Sequence, residues 1–128
     1  MGQRRAGDGA PQGVFAAGIQ VFRFYPDGVV LDVLVKPEPG REHGAQIAGW
    51  LRRESPPRGV HTARYELLDG VLTFRSPSHL RDGEVIECTG TWRGGELRLG
   101  FAGRGWKREP ATYRLLWGPP GGPDADPS

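Results

Sequence analysis

Phe22-Arg23-Phe24-Tyr25-Pro26-Asp27-Gly28-Val29-Val30-Leu31 reads as a complete hairpin of strand, turn and strand, and this reading decides the fold. Pro26 presets φ at the first turn position, Asp27 can bond its own backbone, and Gly28 accepts the positive φ of a type I turn followed by a bulge. Pairing Tyr25 with Val29 puts Phe22, Phe24, Val30, Asp32 and Leu34 on one face and Val21, Tyr25, Leu31, Val33 and Val35 on the other. Both faces are apolar, so both need cover. The second is expected to lie under a helix near Trp50 or against a second copy of the chain, a homodimer through the Val29–Val35 strand.

The same punctuation recurs downstream. Val60 to Leu67 and Val71 to Arg75 flank Asp69-Gly70, Glu84 to Trp92 and Glu96 to Phe101 flank Arg93-Gly94-Gly95, and Thr112 to Trp117 makes a last strand. Short sequential connections of this kind predict an all-β fold, a small antiparallel up-and-down barrel of seven or eight strands. One short helix is expected over about Ala45 to Arg53, where Ile47, Trp50 and Leu51 recur at helical spacing. Alternation sends His61, Ala63, Tyr65 and Leu67 inward, with Ile86, Cys88, Gly90 and Trp92, then Leu97, Leu99 and Phe101, then Tyr113, Leu115 and Trp117.

The 128 residues suffice for one core without staples. The barrel is expected over residues 13–117, with a flexible tail at 1–12 and a disordered Gly/Pro-rich tail at 118–128. A single cysteine, Cys88, excludes an internal disulfide, and its place in a strand-like run points to a reducing, cytoplasmic setting. Net charge is only +2, and acidic residues interrupt both arginine concentrations, Arg52-Arg53 with Arg58 and Arg104 to Arg108, so no nucleic-acid partner is expected. The apolar run from Val14 to Phe22 is too short and broken for a secretory segment, and no stretch reaches membrane-spanning length, so no membrane partner is expected either.

From Val21 to Phe74 the ordered elements are Phe22 to Gly28, Lys36-Pro37-Glu38-Pro39, Ile47 to Arg53, and Tyr65-Glu66-Leu67 leading into Asp69-Gly70-Val71-Leu72-Thr73-Phe74. Over this two-fifths of its length the chain resembles the lipocalin-like C-terminal domain of certain F-box proteins. The resemblance implies a calycin-type barrel. No F-box helical segment accompanies it, so ubiquitin-ligase function is not implied, and the Gly-x-Trp motif that opens many lipocalins is missing near the N-terminus. A missing strand would leave a seam, to be closed by residues 8 to 16, by the helix or by a partner.

The three histidines, His43, His61 and His79, are far apart in sequence and have no carboxylate or thiol at ligand spacing, so no metal is expected. No nucleophile elbow, phosphate-cradling loop or nucleotide fingerprint is present; no cofactor is expected and no catalytic residue is assigned. The inward alternation instead selects Gln20, Asp32 and His61 as polar groups that need partners. With Tyr65, Trp92 and Tyr113 they are the candidate lining for an apolar or amphipathic small molecule held in the lumen, as calycin folds often do. Two alternatives stand beside this: a cyclase or isomerase with Asp32 and His61 as acid/base groups, and a protein-interaction module with a filled core.

Overall fold

A computed structural model describes residues 9–118; the greater part of both expected tails lies outside the described residues. Eight antiparallel strands close into a barrel in strict sequential order: β1 (Gly13–Ala17), β2 (Gln20–Phe24), β3 (Val29–Leu34), β4 (His61–Leu68), β5 (Val71–Pro77), β6 (Val85–Arg93), β7 (Glu96–Gly103) and β8 (Trp106–Trp117). The eighth strand is β1. It pairs with β2 on one side and β8 on the other, so residues 13–17 close the expected seam. Closure leaves no strand edge unpaired.

The turns form as their residues dictate. In the first hairpin Tyr25 N–H donates to the Val29 carbonyl at 2.9 Å, and Gly28 takes φ of 100°. In the second, Asp69 and Gly70 both have positive φ, 55° and 79°, as a two-residue hairpin turn matched to strand twist requires. At the other end of the barrel lie the β1–β2 turn, the long connection 35–60, the β5–β6 loop 78–84 and the β7–β8 turn.

The interior is a ring-on-ring core. Phe22 is fully buried and meets Phe74 edge-on at 5.6 Å between centroids, Tyr113 at 5.5 Å and Phe101 in a stack at 6.2 Å. Phe24 meets Tyr65 at 5.3 Å, and Phe15 meets Trp92 at 5.7 Å. These edge-to-face pairs add to the area they bury. The inward set read from alternation is present through β4, β6 and β7.

In β8 the alternation breaks. Trp117 was expected to point inward, but Val14 pairs with Trp117 while Phe15 pairs with Leu115, so Leu116 is an extra residue in the ladder. Leu116 faces outward by ordinary alternation after Leu115, and the bulge turns Trp117 to the same outer face, where both join a second apolar cluster.

This second cluster covers the outer face of the first hairpin. A helix α1 (Gly44–Trp50), preceded by a 3-10 turn at Arg41–His43, lays Ile47 and Ala48 with the following Leu51 against Val14, Ala16, Val21, Leu31, Val33 and Leu116. Trp50 itself is 45% exposed, so Ile47 and Leu51 carry the cover that Trp50 was expected to lead. A seven-residue helix does not stand alone in water; burying Ile47 and Leu51, at about 1.5–3 kcal/mol each, holds it in place. Arg23 fastens its end. The Nη1 of Arg23 donates to the carbonyls of Ala48 at 2.6 Å and Leu51 at 2.9 Å, and its guanidinium lies 4.8 Å from the Tyr25 ring centre and 5.1 Å from that of Trp117. A cation at a helix C-terminus, flanked by aromatic faces, is favourable on both counts.

Candidate functional site at the loop end of the barrel

Among the described residues Asp32 is the one buried acidic side chain, 4% exposed on the inner face of β3. It is there because β3 alternates Val30, Asp32, Leu34 inward, and across the ladder it stands opposite His61, the first residue of β4. Ser76, the last inward residue of β5 after Leu72 and Phe74, donates its hydroxyl to Asp32 Oδ2 at 3.1 Å. The β5–β6 loop then brings His79 over the same carboxylate. His79 Nε2 stands 3.1 Å from Asp32 Oδ1, and the His79 ring stacks on that of His61 at 4.1 Å between centroids and 16° between planes.

Four side chains from three strands and one loop thus meet at the loop end of the lumen. Their partners are incomplete. His79 Nε2 and Asp32 Oδ1 form an ion pair at 3.1 Å; beyond that contact, Asp32 Oδ1, His61 Nδ1 and His79 Nε2 are all buried without a protein hydrogen-bond partner. Buried polar atoms are normally paired, which makes three orphans in one place unusual. The Asp32 carboxylate beside it holds His79 above the ordinary imidazole range, against the opposing effect of burial. Burial, with a smaller contribution from Asp32, pushes the Cys88 thiol well above its usual range, so Cys88 is an inert core residue.

The loop is built to hold His79 in position. Ser78 Oγ accepts the backbone N–H groups of Leu80 and Arg81, both at 3.0 Å, and Ser78 N–H donates to the Glu84 carbonyl at 2.9 Å. Glu84 in turn accepts from Trp106 Nε1 and from the Arg104 N–H, both at 3.1 Å, and these donors lower its pKa. Leu80, next to His79 in the loop, is 84% exposed.

The residues expected from sequence divide into groups. Asp32 and His61 are brought together, joined by Ser76 and His79. Gln20 and Tyr113 form a second pair, with the Tyr113 hydroxyl donating to Gln20 Oε1 at 2.8 Å. Tyr65 and Trp92 pack at the hairpin end. Tyr65 donates its hydroxyl to the Tyr25 carbonyl at 2.5 Å, and Trp92 lies edge-on to Phe15. Ser76 and His79 are the residues sequence reading missed. Extending the β5 alternation two residues beyond Phe74 reaches Ser76, whereas nothing in the pattern signals a histidine carried on a loop. Linear spacing likewise separates His61 from His79; the β4–β5 hairpin folds them into contact.

The fold and this cluster define a closed eight-stranded antiparallel barrel with a buried polar centre at one end. Compared with family models, curated proteins and solved structures, the chain matches none.

Proposed function

We propose that this barrel binds a small amphipathic molecule at its loop end, the polar part of the ligand on Asp32, His61 and His79 and the apolar part against the exposed Leu80. One observation carries the reading: three buried polar atoms without a protein hydrogen-bond partner, two of them joined only as an ion pair, converge at one end of a lumen whose middle is packed with aromatic rings. A ligand that hydrogen-bonds to them relieves a desolvation cost the fold otherwise bears. The resemblance of the Val21–Phe74 region to lipocalin-like domains supports the same reading, since calycin barrels often hold small molecules at an open end. The Val29–Val35 homodimer is the less favoured proposal, because Leu31 and Val33 already lie beneath α1.

Anilinonaphthalene sulfonate, an amphipathic anion, is a suitable probe. Saturable binding with amide shifts concentrated around residues 32, 61 and 76–85 supports the reading, as does weakened binding in His79→Ala with no change in Tyr65→Phe. Shifts confined to the external groove between Val35, Pro37, Ile47 and Trp50 would move the site to that groove. A lack of saturable binding would overturn small-molecule binding at the loop end.

A further inference from the structure

We propose that Asp32, His61 and His79 form a binding site for one first-row divalent transition-metal ion, with the carboxylate and two imidazoles as ligands. The proposal shares its location with the ligand-binding reading, and deepens it by making an open coordination position the place where a ligand's donor atom would sit. One ligand atom from each of the three residues lies within 4.8 Å of the others. All three side chains leave a ligand atom without a protein hydrogen-bond partner, and the carboxylate among them is nearly all buried.

Charge points the same way. Among the described residues, the only cationic group within ion-pair distance of Asp32 is His79 itself, so an imidazole is all that balances a carboxylate taken out of water. A divalent ion supplies that balance and occupies the three orphaned atoms at once. Ser76 completes the arrangement. By bonding Asp32 Oδ2 it fixes the carboxylate and leaves Oδ1 facing His79, as outer partners of metal-bound carboxylates do.

Two imidazoles and one carboxylate suit zinc, iron(II), cobalt(II) or nickel(II), and leave a position for a further ligand. Three oxygen and nitrogen donors of this kind do not suit magnesium or calcium, which favour all-oxygen shells. A tetrahedral ion with bonds of about 2.0–2.1 Å keeps its ligand atoms roughly 3.3 Å apart. The Asp32–His79 approach of 3.1 Å is already of that order. The His61–His79 stack, 16° from parallel, must splay for both rings to face one ion; hydrogen bonds fix the 78–84 loop backbone, so the splay is a rotation of side chains.

The test is a cobalt(II) titration of the full, untagged chain read by its visible ligand-field bands, with zinc as competitor. One ion per chain, displaced by zinc and untouched by excess magnesium, is expected. His61→Ala and His79→Ala should each weaken cobalt binding by more than the roughly tenfold expected of Ser76→Ala, while His43→Ala, at the only other histidine, changes nothing. Circular dichroism of each variant separates loss of a ligand from loss of fold. Paramagnetic broadening in the unaltered protein gives a readout that needs no variant: resonances around 32, 61 and 79 should vanish first. No saturable cobalt binding, or broadening centred on His43 or the N-terminus, would overturn the proposal. Sulfonate-probe binding that persists in EDTA with no cobalt site overturns the metal and keeps the ligand reading; a cobalt site with no probe binding does the reverse.

Discussion

The hairpin end and the loop end of the same lumen solve opposite problems. At the hairpin end Phe15, Phe24, Tyr65, Phe74 and Trp92 pack ring against ring, and the Tyr65 hydroxyl is spent on a backbone carbonyl. At the loop end Asp32, His61, Ser76 and His79 come together, yet three of their polar atoms find no protein hydrogen-bond partner. A folded chain gains stability from the first arrangement and loses some by the second. The cost concentrates at the end that carries the two longer loops, 35–60 and 78–84, which is where ligands enter small barrels.

That contrast can be broken most sharply in the middle of the core. Phe22→Ala removes a fully buried ring that touches four other aromatic rings, those of Phe24, Phe74, Phe101 and Tyr113, and should cost about 3–5 kcal/mol in denaturant unfolding. A cost under about 1 kcal/mol would mean the lumen is loosely filled and able to take a ligand there.

Gly70→Val tests the turns of the hairpin end. With φ at 79°, and with an added Cβ coming 2.8 Å from the Arg93 guanidinium, the change should cost about 1–3 kcal/mol. An unaltered melting temperature would show that the second hairpin tolerates a different turn.

Tyr65→Phe is milder at neutral pH, about 1 kcal/mol for the hydrogen bond to the Tyr25 carbonyl. Its signature lies at alkaline pH. Burial pushes the Tyr65 phenol up to about 12 from its ordinary 10, so its contribution is fully present below pH 10 and is lost as pH rises through 12. Unfolding measurements between pH 9 and 12 should therefore give a shallower loss in the variant. The slope does not vanish, because burial also raises Tyr113. Identical slopes in the two proteins would place the Tyr65 hydroxyl in contact with water.

The smallest effect belongs to the loop end. His61→Phe keeps an aromatic ring against His79 and removes an orphaned nitrogen, so stability should stay level or rise by up to about 1 kcal/mol. A loss of 2 kcal/mol or more on thermal unfolding would show His61 to be a structural residue, and would erase the distinction between the two ends.

Much of the fold was legible because each hairpin announces itself locally. Pro26-Asp27-Gly28, Asp69-Gly70 and Gly94-Gly95 all fall at turns, and the period-two alternation in β4, β6 and β7 names the inner face correctly. The doubly apolar first hairpin required a cover, and α1 supplies it. The β8 alternation failed at Trp117 because one bulge shifts every later residue to the other face, and a bulge leaves no mark in the pattern. The candidate site was half legible: Asp32 and His61 follow from alternation, while Ser76 was left beyond the end of its strand and His79 sat on a loop.

The sequence by itself determined the strands, the turns and which polar groups would be forced inward, since these depend on φ preferences and side-chain parity along a few residues. Only the tertiary structure decided that β1 closes the barrel, that α1 lies over the outer face, and that residues 32, 61, 76 and 79 share one small volume. Those outcomes depend on strand register around a closed sheet, which relates residues tens of positions apart and is set by the packing of the whole core.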